Sequence, residues 1–249
     1  MNQFGIAVVA LVAAAGAAQA QAIDGVLTAG DGYGAPVFIQ GIQTGFGPAP
    51  NGSELGAIYC KSDATHVTLF FAGSLERNFN KLNVFLDTKS GGQNTISGTN
   101  PTNDGWASKY NGFTFDTGFN ADYMMIFRRG FDGGVAPTGS DVFDVDFAEI
   151  GGGNGGRLGR ALSVTPNGTL LNNTIGSLPA FAATVGYTDS STAIGGGSGA
   201  SVNPADALGL TGGIELRLPL SAIGLSAGQT FLLSAHITNG DHNYLSNQF

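Results

Sequence analysis

A single cysteine, Cys60, leaves this 249-residue chain without an internal disulfide. In the run Ala57-Ile58-Tyr59-Cys60 it reads as a small buried strand residue. Charge is equally scarce. Only 11% of residues are charged, the net charge is −8 and the pI is near 4.6. A nucleic acid or an anionic membrane is thereby excluded as the expected partner, since both require a positive field to neutralise phosphate. After residue 22 no apolar run approaches the roughly 18 to 20 residues of a spanning helix, so no membrane insertion is expected.

Catalytic signatures are missing as well. The three histidines, His66, His236 and His242, fall in no HExxH spacing. Ser163, Ser221 and Ser234 occupy no GxSxG elbow. The glycine-rich patches 151–156 and 195–199 lack the strand-to-helix setting of a dinucleotide loop and read as flexible loops. The eighteen acids could contain the carboxylate pair of a glycoside hydrolase, but nothing singles one out. A non-catalytic protein is expected.

What is present begins with a leader. Residues 1–22 hold no charged side chain, and an apolar stretch over 6–15 runs into Ala18-Gln19-Ala20-Gln21-Ala22. This pattern predicts a secretory signal peptide cut after Ala20 or Ala22, and so a secreted or cell-surface protein. The remaining 23–249 suits a single β-rich domain. Forty-one glycines punctuate short apolar alternations, and seventeen phenylalanines supply a core.

The alternation is regular. Val67, Leu69 and Phe71 share one face; Leu82, Val84 and Leu86 another; Phe143, Val145 and Phe147 alternate with Asp144 and Asp146, which read as a solvated outer face. Ile214, Leu216 and Leu218 alternate with Glu215 and Arg217, and Phe231, Leu233, Ala235 and Ile237 repeat the pattern. Weaker strand candidates lie at 37–40, 55–61, 161–165 and 181–187. The one helix signal is Asn203-Pro204-Ala205-Asp206-Ala207-Leu208, with Asn as cap and Pro in the first turn. About ten strands with minimal helix predict an all-β, antiparallel two-sheet β-sandwich of jelly-roll or immunoglobulin-like type.

Between the strand-like runs 82–87 and 122–127 lies a long polar insert that carries the only tryptophan, Trp106. A strand pair presenting such a loop reads as a ligand platform. Sugar C–H faces pack on aromatic rings while Asn, Asp and Arg bond the hydroxyls. Trp106, Tyr110, Tyr123, Asn103 and Arg128 are the candidates for such a site. Asp87, Asp104, Asp116 and Asp122 could supply hard oxygen ligands to calcium, although no twelve-residue EF-hand loop is present.

Three segments carry a family resemblance: Ile23-Asp24-Gly25-Val26-Leu27, Leu82-Asn83-Val84-Phe85-Leu86-Asp87, and GIELRLPLSAIGLSAGQTFLLSAHI over 213–237. Together they resemble the family 9 carbohydrate-binding modules and the related DOMON-type sandwiches. The segments FLDTKSGGQNT, FDTGFNADY and SNQF are similar to those of a set of secreted bacterial proteins, some bearing an exosortase-type sorting tail. The resemblance implies a sandwich fold and, as function, binding of a polysaccharide or glycan at the bacterial surface or in the matrix. Alternatives are a self-associating structural protein without a small-molecule ligand and, from the DOMON side, a haem domain with Met124 or Met125 and His236 as axial ligands.

Overall fold

The computed structural model describes residues 7–10, 22–42, 45–46, 52–101, 105–132, 140–162, 171–172, 183–190 and 201–246. Among these, the strands in chain order are β1 (Ala7–Ala10), β2 (Phe38–Ile39), β3 (Glu54–Ser62), β4 (His66–Ser74), β5 (Lys81–Asp87), β6 (Tyr123–Asp132), β7 (Ser140–Glu149), β8 (Gly155–Leu162), β9 (Leu171–Asn172), β10 (Thr184–Thr188), β11 (Gly213–Pro219) and β12 (Thr230–Thr238). Two short helices, α1 (Trp106–Tyr110) and α2 (Pro204–Leu208), complete the regular structure with two single-turn 3-10 segments.

The first sheet runs β1-β12-β5-β6-β7-β8 and the second β2-β3-β4-β11-β10-β9, with every pairing antiparallel. Five strands form the body of each sheet, and the short β1 and β9 extend one edge apiece. β1 lies inside the expected leader, so cleavage after Ala20 or Ala22 would remove it and uncover the outer edge of β12. The expected antiparallel two-sheet sandwich is the observed fold.

Alternation dictates the main core. Leu82, Val84 and Leu86 of β5, Met125 and Phe127 of β6, Phe143 and Val145 of β7, and Leu233 and Ala235 of β12 meet Leu69, Phe71, Leu216 and Leu218 of the facing sheet. A second cluster lies on the far side of the first sheet and a third on the far side of the second sheet. Each sheet is therefore covered on both faces over part of its area. The sequence carries a trace of this in runs such as Leu69-Phe70-Phe71-Ala72 and Met124-Met125-Ile126-Phe127, apolar at successive positions as strands buried on both faces are.

The opening segment and the late strand-turn-strand segment meet in space. The Glu215 carboxylate on β11 accepts the backbone N–H groups of Asp24 and Gly25, at 3.0 and 3.3 Å, and the Tyr33 hydroxyl at 2.9 Å. Gly25 has φ +75°, and a Cβ there would sit 2.5 Å from the Thr188 nitrogen and 2.7 Å from the Gly213 carbonyl oxygen. A side chain is thus excluded where the N-terminal segment crosses β10 and β11. β11 ends at Pro219, and the 3-10 turn over Leu220–Ile223 closes on Gly224 at φ +72° before β12 begins.

Sequence reading and structure part in some places. The α2 helix stands where expected, with the Asn203 side chain accepting the Ala205 N–H. The candidate strand at 161–165 overlaps the end of β8 at Ala161 and Leu162, and 163–165 lie outside the described residues; β8 begins at Gly155, inside the patch read as a loop, because Gly155 and Gly156 pair with Ala148 and Phe147 of β7. Strand pairing overrides the low β-propensity of glycine there. The patch at 195–199 lies outside the described residues.

Candidate functional site

The insert between β5 and β6 is a hydrophobic cover. Its residues Ile96, Trp106, Ala107, Tyr110, Phe115, Phe119 and Ala121 pack onto Phe85, Met124, Ile126 and Ala148, the outward-pointing residues of β5, β6 and β7. Ring centroids of Phe85 and Phe115 lie 4.9 Å apart, and those of Phe85 and Tyr110 5.5 Å. Trp106 is 1% exposed and Tyr110 4%. Neither presents a ring face to solvent: both pack as core residues of a second layer. Tyr123 is 5% exposed, stacks on Phe147 at 5.7 Å in the main core and takes a hydrogen bond from Lys89 at 3.1 Å. Asn103 and Asp104 lie outside the described residues.

Two of the carboxylates considered for calcium, Asp122 and Asp87, accept backbone N–H groups. Asp122, fully buried, accepts the N–H groups of Thr88 and Lys89 at 2.7 and 2.8 Å and so fixes the chain's departure from β5. Asp87 accepts the Asn120 N–H at 2.8 Å. Burial pushes the Asp87 carboxyl up, against the hydrogen bond from Asn120, and the neighbouring Asp122 charge adds to the rise. Asp116 is exposed on a turn. Among the described residues no group of three or more His, Cys, Asp or Glu side chains could hold a metal ion.

A different site emerges from the register of the first sheet. Thr238 of β12, Lys81 of β5, Arg128 of β6, Asp144 of β7 and Arg160 of β8 are direct cross-strand neighbours, one row across five strands. The next row on the same face is His236, Asn83, Ile126, Asp146 and Arg157. The insert covers the apolar end of this face, while the charged end floors an open groove of about 390 Å³ lined by Asn78, Phe79, Lys81, Arg128, Asp144, Arg160, Gly240 and Asp241. Of the residues expected to touch a ligand, Arg128 is the one found here.

Ion pairs organise the floor. Arg160 grips Asp144 in a fork, with Nε and Nη2 at 2.7 and 2.9 Å from its two oxygens. Arg128 reaches Asp144 at 3.2 Å and Asp146 at 2.9 Å, and Arg157 approaches both at 3.6 and 3.8 Å. Asp144 and Asp146 are buried, not the solvated pair the alternation suggested. Burial alone would raise the Asp144 carboxyl, but hydrogen bonds from Arg160 and the charges of Arg128 and Arg157 hold it below the usual carboxylate range. The Lys81 ammonium bonds the Gly240 carbonyl at 2.6 Å and ties the groove's two walls together.

Those walls are the loops 75–80 and 239–244. Among the described residues only two non-glycines have positive φ, Phe79 at +67° and His242 at +53°, and each sits on one of these loops. Such a conformation costs about 1 to 3 kcal/mol and persists where surrounding bonds over-determine it. Here Glu76 takes hydrogen bonds from Asn78 and Asn80, the Asn78 side chain accepts the Asn80 N–H, and the Phe79 N–H bonds the Arg129 carbonyl at 2.7 Å. The half-buried Phe79 ring lies over Gly130, where a Cβ would overlap the ring. The backbone is strained so as to lay an aromatic ring along a polar groove. Sequence reasoning missed Phe79 because positive φ leaves no mark in composition.

His236, the expected haem ligand, lies under the insert. Its Nε2 is 2.6 Å from the Tyr110 hydroxyl, and its ring stacks on Phe85 at 5.8 Å. Burial, with a smaller contribution from His242, pushes its pKa down to about 3. Cys60 is half-buried and its thiol is pushed up to about 12 by burial, so it stays protonated and inert at neutral pH.

No family model, curated protein or solved structure matches the chain.

Proposed function

We propose that the protein is a secreted, non-catalytic carbohydrate-binding module that takes a sugar in the groove over the charged end of the first sheet. The observation that carries this reading is the strained Phe79, whose ring lies beside the row formed by buried Lys81, Arg128 and Asp144 and half-buried Arg160. A ring flanked by forked donors and a carboxylate is the set that recognises a pyranose: apolar C–H groups on the ring, hydroxyls on the charged groups. Binding is favoured over hydrolysis because Asp144 is held ionised, whereas a glycosidase acid needs a raised pKa.

The test is binding to a broad glycan array and to insoluble polysaccharides, using wild type and Phe79→Gly, with calcium and with chelator. Glycine accepts φ +67° without strain, which offsets part of the packing and entropy lost with the half-buried ring, and a thermal melt checks that Phe79→Gly is folded. Glycan binding lost in this variant supports the reading. Wild type that binds no glycan, or a variant that binds as well, overturns it. The chelator arm tests calcium, with Asp87 and Asp122 as the pair at stake. N-terminal sequencing of protein from the culture medium tests export and the cut after Ala20 or Ala22.

A second reading is self-association without a small ligand. Ile39, Ile42 and Leu208 are exposed together around the edge strand β2, where Ile42 bridges Ser201 next to α2. Sedimentation velocity of wild type and Ile42→Glu would detect a dimer that this patch sustains.

A further inference from the structure

A sheet edge is a row of outward N–H and C=O groups, and a long, uncharged edge invites another strand. Two sheets give four edges. β2 and β9 are two residues long, and β8 carries Arg157, Arg160 and three glycines. Shortness, charge and poor strand propensity blunt those three. The fourth is different. β12, which lies behind the short β1, runs nine residues as TFLLSAHIT without an Asp, Glu, Lys, Arg or Pro. Among the described residues, its outer edge is covered by β1 at 230–233 and by the segment 245–246 at 237–238. The Ile237 N–H and C=O both turn to this edge, the first donating to the Ser246 hydroxyl at 3.1 Å and the second accepting the Ser246 N–H at 2.9 Å. Alternation turns those of Leu233 and Phe231 the same way, onto Ala7 and Val9 of β1. Loss of the leader takes that strand partner away from both.

We infer that the vacated edge is where two copies of the exported chain join, β12 against β12, antiparallel about a two-fold axis at Leu232. The inference rests on export and cleavage of the leader and does not depend on what the groove binds. In this register Phe231 of each copy faces Leu233 of the partner subunit, so the outward N–H and C=O groups of the vacated stretch are all paired again. The two Leu232 residues meet across the axis as a close, non-hydrogen-bonded pair, and their half-buried side chains on the outer face bury each other further. A second copy is favoured over an unrelated strand because the stretch is complementary to itself: the residues that leave the slot open also fill it. Such an isologous join closes as a dimer and cannot grow into a fibre. The axis runs normal to the sheet, so both grooves open on the same side of one continuous sheet, an arrangement suited to a polymeric ligand.

The experiment is sedimentation velocity on protein taken from the culture medium, its N-terminus sequenced, beside the full-length precursor retained in the cytosol. The mature chain is expected to sediment as a dimer and the precursor as a monomer. Leu232→Lys in the mature chain should weaken the dimer about tenfold or more, because it removes an apolar contact and sets like charges opposite each other. Leu232→Cys in a Cys60→Ala background should form a disulfide-linked dimer on mild oxidation, since the Cα atoms of a non-hydrogen-bonded pair stand about 4.5 Å apart, within a disulfide's reach. Thermal melts confirm that the variants are folded. A mature chain that is cut yet monomeric would overturn the inference and leave export standing. So would a precursor that dimerises as readily as the mature chain. A dimer that tolerates Leu232→Lys, or that the new cysteine fails to trap, would lie on another surface and overturn the inference as well. A leader still attached to the protein in the medium would overturn the cleavage reading and the inference together.

Discussion

Replacing Trp106 by alanine separates a ligand residue from a core residue. The side chain is 1% exposed, packs edge-on to Tyr110 at 6.3 Å and belongs to the cluster that seals the insert onto β5, β6 and β7. A buried aromatic removes about 150 to 250 Å² from water. At about 25 cal/mol per Å² this corresponds to roughly 4 to 6 kcal/mol, and truncation of such a residue costs about 3 to 5 kcal/mol in practice. For a domain of this size each kcal/mol moves the melting temperature by about 2 to 4 °C, so Trp106→Ala should melt roughly 6 to 20 °C below wild type. Calorimetry measures the shift directly. Glycan binding measured well below the melt should persist, because the groove occupies the opposite end of the same sheet face. A variant that melts within about 2 °C of wild type yet has lost its ligand would refute this reasoning and return Trp106 to the binding surface.

Acid should destabilise the fold in two stages. The buried His236 titrates at about 3, whereas an unfolded histidine titrates near 6.5. Between these values the unfolded chain takes up a proton that the folded chain refuses, so stability is whole above pH 7 and falls as pH drops from 6.5 towards 3. Asp144, whose folded pKa is depressed, adds a further loss as pH falls through the carboxylate range. Urea midpoints from pH 7.5 to 4.5 should fall in wild type and stay nearly flat in His236→Phe; parallel curves would contradict the assignment. Glu215→Gln puts an amide where the carboxylate now accepts the Asp24 and Gly25 N–H groups, and should cost about 2 to 3 kcal/mol in chemical denaturation. Asp144→Ala strands Arg128, Arg157 and Arg160 around a missing partner and should cost about 3 to 5 kcal/mol. A loss below 1 kcal/mol would mean that the pairs are solvated.

The amino-acid sequence alone determined the sandwich. Side chains alternate with period two along a strand whatever else the chain does, so Leu82, Val84 and Leu86, or Phe231, Leu233 and Ala235, declare a core face before any partner is known. Local chemistry likewise settled α2, since Asn203 and Pro204 act on the turn that contains them. What covers the other face is a long-range matter. Phe85 and Met124 signal only that their outward positions are apolar, and tertiary structure alone made the polar-looking insert their cover, which buried Trp106 and Tyr110. The groove is less legible still. Lys81, Arg128, Asp144 and Arg160 are far apart in sequence and become one row only through the register of four strands. Phe79 joins them through a backbone torsion that its loop's hydrogen bonds impose. Periodicity reports which way a side chain points; only strand pairing decides what stands beside it.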